Sequence, residues 1–293
     1  MLNILITGSN GQLGREIREV SIFYPYYNFI FTDIEELDIT DAGQVEQFFH
    51  KNNFDAVINC AAYTAVDRAE QEPVSAMLIN RDAVANLVQA CKNDDAYLVH
   101  ISTDYVFDGR ANRPYREDDK PNPTSSYGRS KLAGEEAMMS CLLKGMIIRT
   151  SWLYSSFGSN FVKTILRKGA EKGKLDVVDD QVGCPTYARD LATAILEILP
   201  KALSIHQFEI YHYSNEGECS WYEFAKAAID LANIPCQVNP VSSDKYPQQA
   251  PRPLYSVLNK TKVKEQFGIK IPEWRSSLGE CIEAWRQGDK VTR

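Results

Sequence analysis

The sequence predicts an α/β fold: a doubly wound, mostly parallel sheet followed by a smaller, mixed C-terminal domain. Three observations predict it. Short apolar runs alternate with amphipathic stretches over residues 1–150. The first apolar run ends in a turn of regularly spaced glycines that opens a helix. After residue 151 the alternation loosens into short runs and proline-bearing segments.

Taken in order, residues 2–7 (L-N-I-L-I-T) suit a buried parallel strand. T-G-S-N-G-Q-L-G follows, with Gly8, Gly11 and Gly14 three apart, and residues 11–20 read as a helix. Strand, glycine turn and helix together are the context of a Rossmann-like dinucleotide site. Glycines let the turn close and let backbone approach a pyrophosphate, and the helix N-terminus favours an anion. The spacing is G-x-x-G-x-x-G, so the triplet alone would be only a structural turn; its context makes it functional. Residues 28–32 read as the second strand, ending at Asp33, 19 residues past Gly14. A carboxylate there can bind an adenosine ribose and would favour NADH. It is equally a turn aspartate, and Asp38 also sits within reach of a cofactor.

Residues 41–52 form an amphipathic helix, and residues 55–67 begin as a third strand that exits through Ala61-Ala62, small enough for close approach to a ligand. A long helix over 72–92 contains Asn80. The strand 97–101 runs into Ser102-Thr103-Asp104. Ligands of open α/β sheets bind outside the carboxyl ends of strands, so these hydroxyls are placed to reach a carbonyl; the plainer reading is strand-end hydroxyls. A polar loop over 110–123 leads to Ser125-Ser126-Tyr127-Gly128-Arg129-Ser130-Lys131, the start of a helix to about residue 140. Tyr127 and Lys131 are four apart and share a helix face. A phenol near pKa ~10 is a poor acid or base at neutral pH, and a nearby ammonium lowers that value. The pair is a candidate acid/base unit; alone, it would be an exposed Tyr/Lys pair.

Residues 146–150 are a further strand, leaving through Ser151-Trp152. Helices are expected over 159–171, 187–199 and 220–233, and strands over 175–178 and 208–213, the last able to return to the main sheet. Residues 234–253 carry five prolines, including Pro240 and Pro247, and suit an irregular lid. The expected organisation is a dinucleotide-binding domain over 1–150, joined by 187–215, and a substrate domain over 151–186 and 216–293.

Composition bounds the function. With 44% hydrophobic and 24% charged residues over 293, the chain is an ordinary globular protein. A net charge of −7 lacks the basic footprint of a nucleic-acid binder. Its first residues do not read as a signal peptide, and no apolar run is long enough for a membrane span. Seven scattered cysteines without C-x-x-C read as reduced thiols of a cytoplasmic protein. Four histidines without H-E-x-x-H give a metal site little support.

Gly8-Gly11-Gly14, Asn59-Cys60-Ala61-Ala62, Ser102-Thr103 and Tyr127-x-x-x-Lys131 together resemble the extended short-chain dehydrogenase/reductase superfamily. Within it the chain is similar to the dTDP-4-dehydrorhamnose reductase family. The narrower segments are S-T-D-Y-V-F-D-G, D-D-Q-V-G-C-P-T and R-P-L-Y-S-V-L, in order before about residue 260. The resemblance implies reduction of the 4-keto group of a dTDP-4-dehydro-6-deoxy sugar to dTDP-L-rhamnose, with NADPH or NADH as hydride source. It makes Thr103, Tyr127 and Lys131 the catalytic trio, with Tyr127 as proton donor, Lys131 lowering the phenol pKa and Thr103 donating to the carbonyl oxygen. Cofactor contacts would come from Gly8, Asn10, Gly11, Gln12, Leu13, Gly14, Asp33, Asp38, Ile39, Ala61, Ala62 and Tyr63, with Tyr127 and Lys131. Substrate contacts would come from Thr103, Asp104, Trp152 and Arg252. Trp152 could equally be core, and Arg252 a solvated arginine. Tyr63 stands where a histidine is common. Some family members form dimers through magnesium-binding glutamates. Glu16 could match one, while Arg189-Asp190 and the Asp289–Arg293 end do not clearly supply the others. The implied assembly is a monomer or homodimer, and bound magnesium (Mg2+) stays open because the match to the glutamate set is incomplete. Two alternatives remain: a nucleotide-sugar epimerase or dehydratase, and a non-catalytic subunit like the regulatory subunit of methionine adenosyltransferase.

Overall fold

The structure is a computed structural model that describes residues 1–141, 144–205, 207–246 and 248–291, with side chains up to residue 287. His206, Pro247 and the side chains of the Asp289–Arg293 end lie outside the described residues. Six parallel strands form the central sheet. Five come from the first half: β1 (Leu2–Thr7), β2 (Tyr27–Phe31), β3 (Ala56–Asn59), β4 (Tyr97–Thr103) and β5 (Gly145–Thr150). The sixth, Phe208–His212, pairs in parallel with β5, from Phe208 opposite Gly145 to His212 opposite Arg149. The spatial order is β2-β1-β3-β4-β5 and then the sixth strand. The chain reverses direction across the sheet between β1 and β3, which opens a crevice at their carboxyl ends. The fold is the doubly wound α/β class that the alternation predicts.

Strands buried on both faces explain the nearly unbroken apolar runs. One face packs Ile4, Ile6, Ile58 and Val99 against the helices Gln12–Val20 and Ala188–Leu203. The other packs Leu5, Val57, Leu98 and Ile147 against Val84, Leu87 and Val88 of the helix Ala83–Asn93 and Met138 of Ser126–Cys141. The expected long helix over 72–92 is interrupted. It is built from Pro73–Met77, a π-helical turn Leu78–Asp82 and Ala83–Asn93. That turn buries Asn80. Wide turns of this kind recur at functional sites.

A second core joins the helices Phe161–Lys172, Trp221–Leu231 and Trp274–Val291 through Leu166, Phe224, Ala228 and Leu278. The helix at Trp221 begins with a capping box, Ser220 bonding the Glu223 N–H and Glu223 returning to Ser220. The proline-bearing segment departs from expectation. Gln237–Val241 is a strand, paired in parallel with Lys174–Val178, with Pro240 opposite Val177. The pair is an isolated two-stranded ribbon, where a residue without an N–H is tolerated on an open edge.

Candidate active site

The glycine turn is set by close packing. Gly8 has φ +64°, and a Cβ there would stand 2.6 Å from the Ala61 backbone. A Cβ on Gly14 would stand 2.5 Å from Ser9 Cα. These two glycines let the turn lie against the exit of β3 and let the helix return onto the turn. Gly11 differs: its Cβ would meet only the Gly8 oxygen, at 3.2 Å, and it lines the cleft. No side chain caps the helix Gln12–Val20 that follows. Such a surface, with bare backbone at a helix N-terminus, fits a pyrophosphate. Asp33 stiffens it: Asn10 N–H donates to its Oδ2 at 2.8 Å and Ile34 N–H to its Oδ1 at 2.9 Å.

The cleft runs between this turn and the second core, with a cavity of about 760 Å³. Asn10, Gly11, Gln12, Leu13 and Ala62 line it from the turn side, and Thr103, Asp104, Tyr127, Lys131, Trp152 and Arg252 from the other. Gly8, Gly14, Asp33, Asp38, Ile39, Ala61 and Tyr63 are not part of its wall. Gly8, Gly14 and Ala61 are occupied in packing the turn, and Ile39 belongs to the core. Asp38 Oδ1 accepts from both the N–H and the hydroxyl of Thr40. Tyr63 is held by Asn80, whose Oδ1 accepts the Tyr63 N–H at 2.9 Å and whose Nδ2 donates to the Tyr63 carbonyl and to Ser130. Asn80 thus ties the loop after β3 to the helix that carries Tyr127 and Lys131, a role invisible in its sequence neighbourhood.

That helix, Ser126–Cys141, is fixed from three sides. A Cβ on Gly128 would collide with the Tyr105 carbonyl and one on Gly134 with that of Asn80. Glu135, with 0% of its side chain exposed, forms a two-pronged pair with Arg149 of β5, Nε to Oε1 at 2.9 Å and Nη2 to Oε2 at 2.7 Å. Ser102 Oγ donates to the same carboxylate. The close approach at Gly128 brings Tyr127 beside Thr103 at the end of β4.

Burial pushes the Tyr127 phenol up to about 12, and Asp104 adds to this, while the Thr103 hydroxyl pulls the other way. Lys131 Nζ donates to the Ile101 carbonyl at 2.7 Å and lies 3.3 Å from His100 Nε2, and burial pushes it down to about 8. Tyr127 is therefore a protonated phenol at neutral pH. Thr103 Oγ1 is within donating distance of Asp104 Oδ1 at 2.9 Å and accepts from Tyr105 N–H at 3.2 Å. Asp104 is 2% exposed and its Oδ2 has no hydrogen-bond partner. Burial raises its carboxyl to about 6, against the pull of Ser256 and Thr103.

The far wall is aromatic. Trp152, at φ +47°, stacks on Trp221 with ring centroids 3.5 Å apart and planes 7° apart. Trp221 lines the cleft as well, and sequence reasoning missed it as a site residue. Arg252 is not a solvated arginine: its Nη2 donates to Asp67 Oδ2 at 2.6 Å and its Nη1 to the Ala250 carbonyl. The two walls are tied by Asn160, whose Nδ2 donates to Gln12 Oε1 at 2.9 Å. Glu16 faces the protein interior. It is buried and accepts from Ser155 Oγ at 2.6 Å, and its carboxyl is raised by burial against Ser155 and Arg189. Among the described residues no group of three or more His, Cys, Asp or Glu is placed to hold a metal ion. All seven cysteines are free thiols, and no described helix is long and apolar enough to cross a membrane.

A family model described as the RmlD substrate binding domain matches residues 2–287. A dTDP-4-dehydrorhamnose reductase from Aggregatibacter actinomycetemcomitans is 39% identical, over 95% of this chain and 97% of its own. The chain belongs to the dTDP-4-dehydrorhamnose reductase family. Solved structures agree. A dTDP-4-dehydrorhamnose reductase from Clostridium acetobutylicum superposes with a TM-score of 0.92 at 41% identity, covering 97% of this chain and 100% of that one. One from Bacillus anthracis, in complex with NADP, superposes at 0.91 with 39% identity and the same coverage. The family match spans both walls of the cleft.

Proposed function

We propose that this protein is an NADPH- or NADH-dependent reductase of dTDP-4-dehydro-6-deoxy-L-mannose, forming dTDP-L-rhamnose. The observation that carries the reading is the convergence of Thr103, Tyr127 and Lys131 at the end of β4, facing the Gly11 surface across one cleft. The Gly11 backbone and the uncapped helix behind it fit the pyrophosphate of a dinucleotide. When bound, the nicotinamide supplies the hydride that converts the sugar C4 carbonyl to an alkoxide.

The chain's own residues then do three things. Tyr127 Oη gives its proton to the alkoxide. A phenol raised to about 12 holds that proton at neutral pH, and an alkoxide is a stronger base than a phenolate, so the transfer is downhill. Thr103 sits beside the phenol and orients it, with Asp104 fixing the direction of the Thr103 hydroxyl. Lys131 holds the cofactor side of the site. Trp152 and Trp221 offer a flat face for the sugar or base. Arg252 offers a guanidinium to the diphosphate, held in place by Asp67. We place the enzyme in the cytoplasm as a monomer or homodimer.

The test follows absorbance of the reduced cofactor with dTDP-4-dehydrorhamnose as substrate. Oxidation of NADPH or NADH dependent on the sugar nucleotide is expected; none with either cofactor would remove the proposal. An epimerase or dehydratase would show no net cofactor consumption.

A further inference from the structure

The short helix Val66–Gln71 packs beside the start of the helix that carries Tyr127. Ala69, 0% exposed, shares a small apolar cluster with the Tyr127 ring, and Val66 packs on that cluster while lining the cleft. Glu70 reaches the first residue of the Tyr127 helix. Its Oε1 accepts the Ser126 N–H and its Oε2 the Ser126 hydroxyl, both at 2.7 Å. Ser126 opens the helix Ser126–Cys141, so its N–H has no partner within that helix. Ser125 Oγ takes the Gly128 N–H at 3.0 Å, but no acidic residue stands in the first turn. Glu70 supplies the negative charge that favours the positive end of this helix. Burial would raise its carboxyl; the two Ser126 bonds, with Arg129 and Arg252, outweigh burial and hold it below its usual value. An acid that caps a helix can serve stability alone. Here the capped residue is the chain neighbour of Tyr127, and the capping helix also packs its apolar face on the Tyr127 ring.

We propose that Glu70 is a positioning residue for proton transfer: by holding Ser126 through both carboxylate oxygens, it sets the Tyr127 phenol against Thr103 at the end of β4. A single bond would leave the first turn free to pivot about it. Two bonds from one carboxylate to one residue fix its direction as well. Tyr105 meets the same phenol ring edge-on, with centroids 5.5 Å apart. The helix that carries Glu70 is itself anchored. Asp67, three residues earlier and so on the same helix face, accepts from Arg252 Nη2 at 2.6 Å and from the Ala250 N–H at 3.1 Å. Gln71 donates to Gln249 at 2.6 Å. One helix of six residues thus joins the guanidinium offered to the diphosphate to the phenol offered to the carbonyl. Such a spacer suits a substrate whose carbonyl lies at a set distance from its diphosphate, as in a nucleotide-linked keto-sugar. The effect on turnover rests on the reductase reading; the placement of the phenol does not.

The experiment is steady-state kinetics of Glu70→Ala and Glu70→Gln with dTDP-4-dehydrorhamnose, beside carbon-13 NMR of the full chain labelled in its tyrosine rings. The Tyr127 signal is assigned from Tyr127→Phe. A displaced phenol slows the chemistry and spares binding, so kcat should fall ~10–10²-fold in Glu70→Ala while KM and cofactor affinity stay within about threefold. A brace for stability alone would lower the melting temperature and leave kcat in place, and that result would overturn the proposal. Glu70→Gln keeps the side-chain length and an acceptor for the Ser126 N–H, and its kcat should fall between wild type and Glu70→Ala. A glutamine variant as slow as the alanine one would remove the hydrogen-bonded clamp. The Tyr127 ring signal should move in Glu70→Ala, and an unmoved signal would overturn the proposal whatever the rate. An inactive wild type whose Tyr127 signal moves on loss of Glu70 would sink the reductase reading and leave this one standing.

Discussion

The two walls of the cleft are built on different principles. The turn wall is local and made of backbone. Gly8, Gly11 and Gly14 lie within seven residues, and the packing they permit needs nothing beyond β1, β3 and one helix. The opposite wall is made of side chains gathered from afar. Arg252 meets Asp67 across 185 positions, and Trp152 meets Trp221 across two helices and six strands. A ligand-binding surface can thus be fixed by a short spacing rule where backbone touches the ligand. Where side chains touch it, the surface is fixed by the whole fold.

The contrast can be tested from its largest effect downward. Tyr127→Phe removes the proton donor at the meeting point of the walls. Turnover should fall ~10²–10⁴-fold while cofactor affinity stays near wild type, by titration of reduced-cofactor fluorescence. Near-normal turnover would detach Tyr127 from the chemistry. Arg149→Met leaves Glu135 buried and unpaired behind the same helix. A loss of about 3–5 kcal/mol is expected in urea unfolding, and a loss under 1 kcal/mol would show that the pair does not anchor the helix.

Asp104 provides a pH test. Its carboxyl is raised from 3.8 to about 6, so ionising it costs more in the fold than in the unfolded chain. Its contribution is full below about pH 4 and is lost as pH rises through about 6, at most about 3 kcal/mol. Asp104→Asn should therefore be more favourable relative to wild type at pH 8 than at pH 4.5, and an equal difference at both would contradict the buried ionisation. Trp221→Ala is the mildest change. It should raise KM for the sugar nucleotide by about tenfold and leave cofactor affinity unchanged, on the scale of one lost stacking contact. A matching loss of cofactor affinity would show that the walls are not separable.

The legibility of the sequence follows the same division. The strands of the main sheet, the glycine turn and the Tyr127/Lys131 spacing were readable because each is a short-range pattern. The Gln237–Val241 strand was not, because Pro240 argues against a strand unless the open edge of a two-stranded ribbon is known. The π-turn at Leu78–Asp82 was hidden inside a good helical pattern. The buried partners of Lys131 were not legible for a physical reason. Helical spacing places Lys131 on the face of Tyr127, but Nζ reaches past it to Ile101 and His100. Asp33 was an open choice between ribose and turn, and its carboxylate accepts two backbone N–H bonds there.

Isotope transfer tests the central claim most directly. The protein is given dTDP-4-dehydrorhamnose and nicotinamide cofactor deuterated at C4 in each face separately, and the sugar nucleotide is read by mass and proton NMR. The account predicts one deuterium at the sugar C4, from one face of the cofactor only, with loss of the same product in Tyr127→Phe. A sugar nucleotide without deuterium, or with deuterium returned to the cofactor, would contradict it.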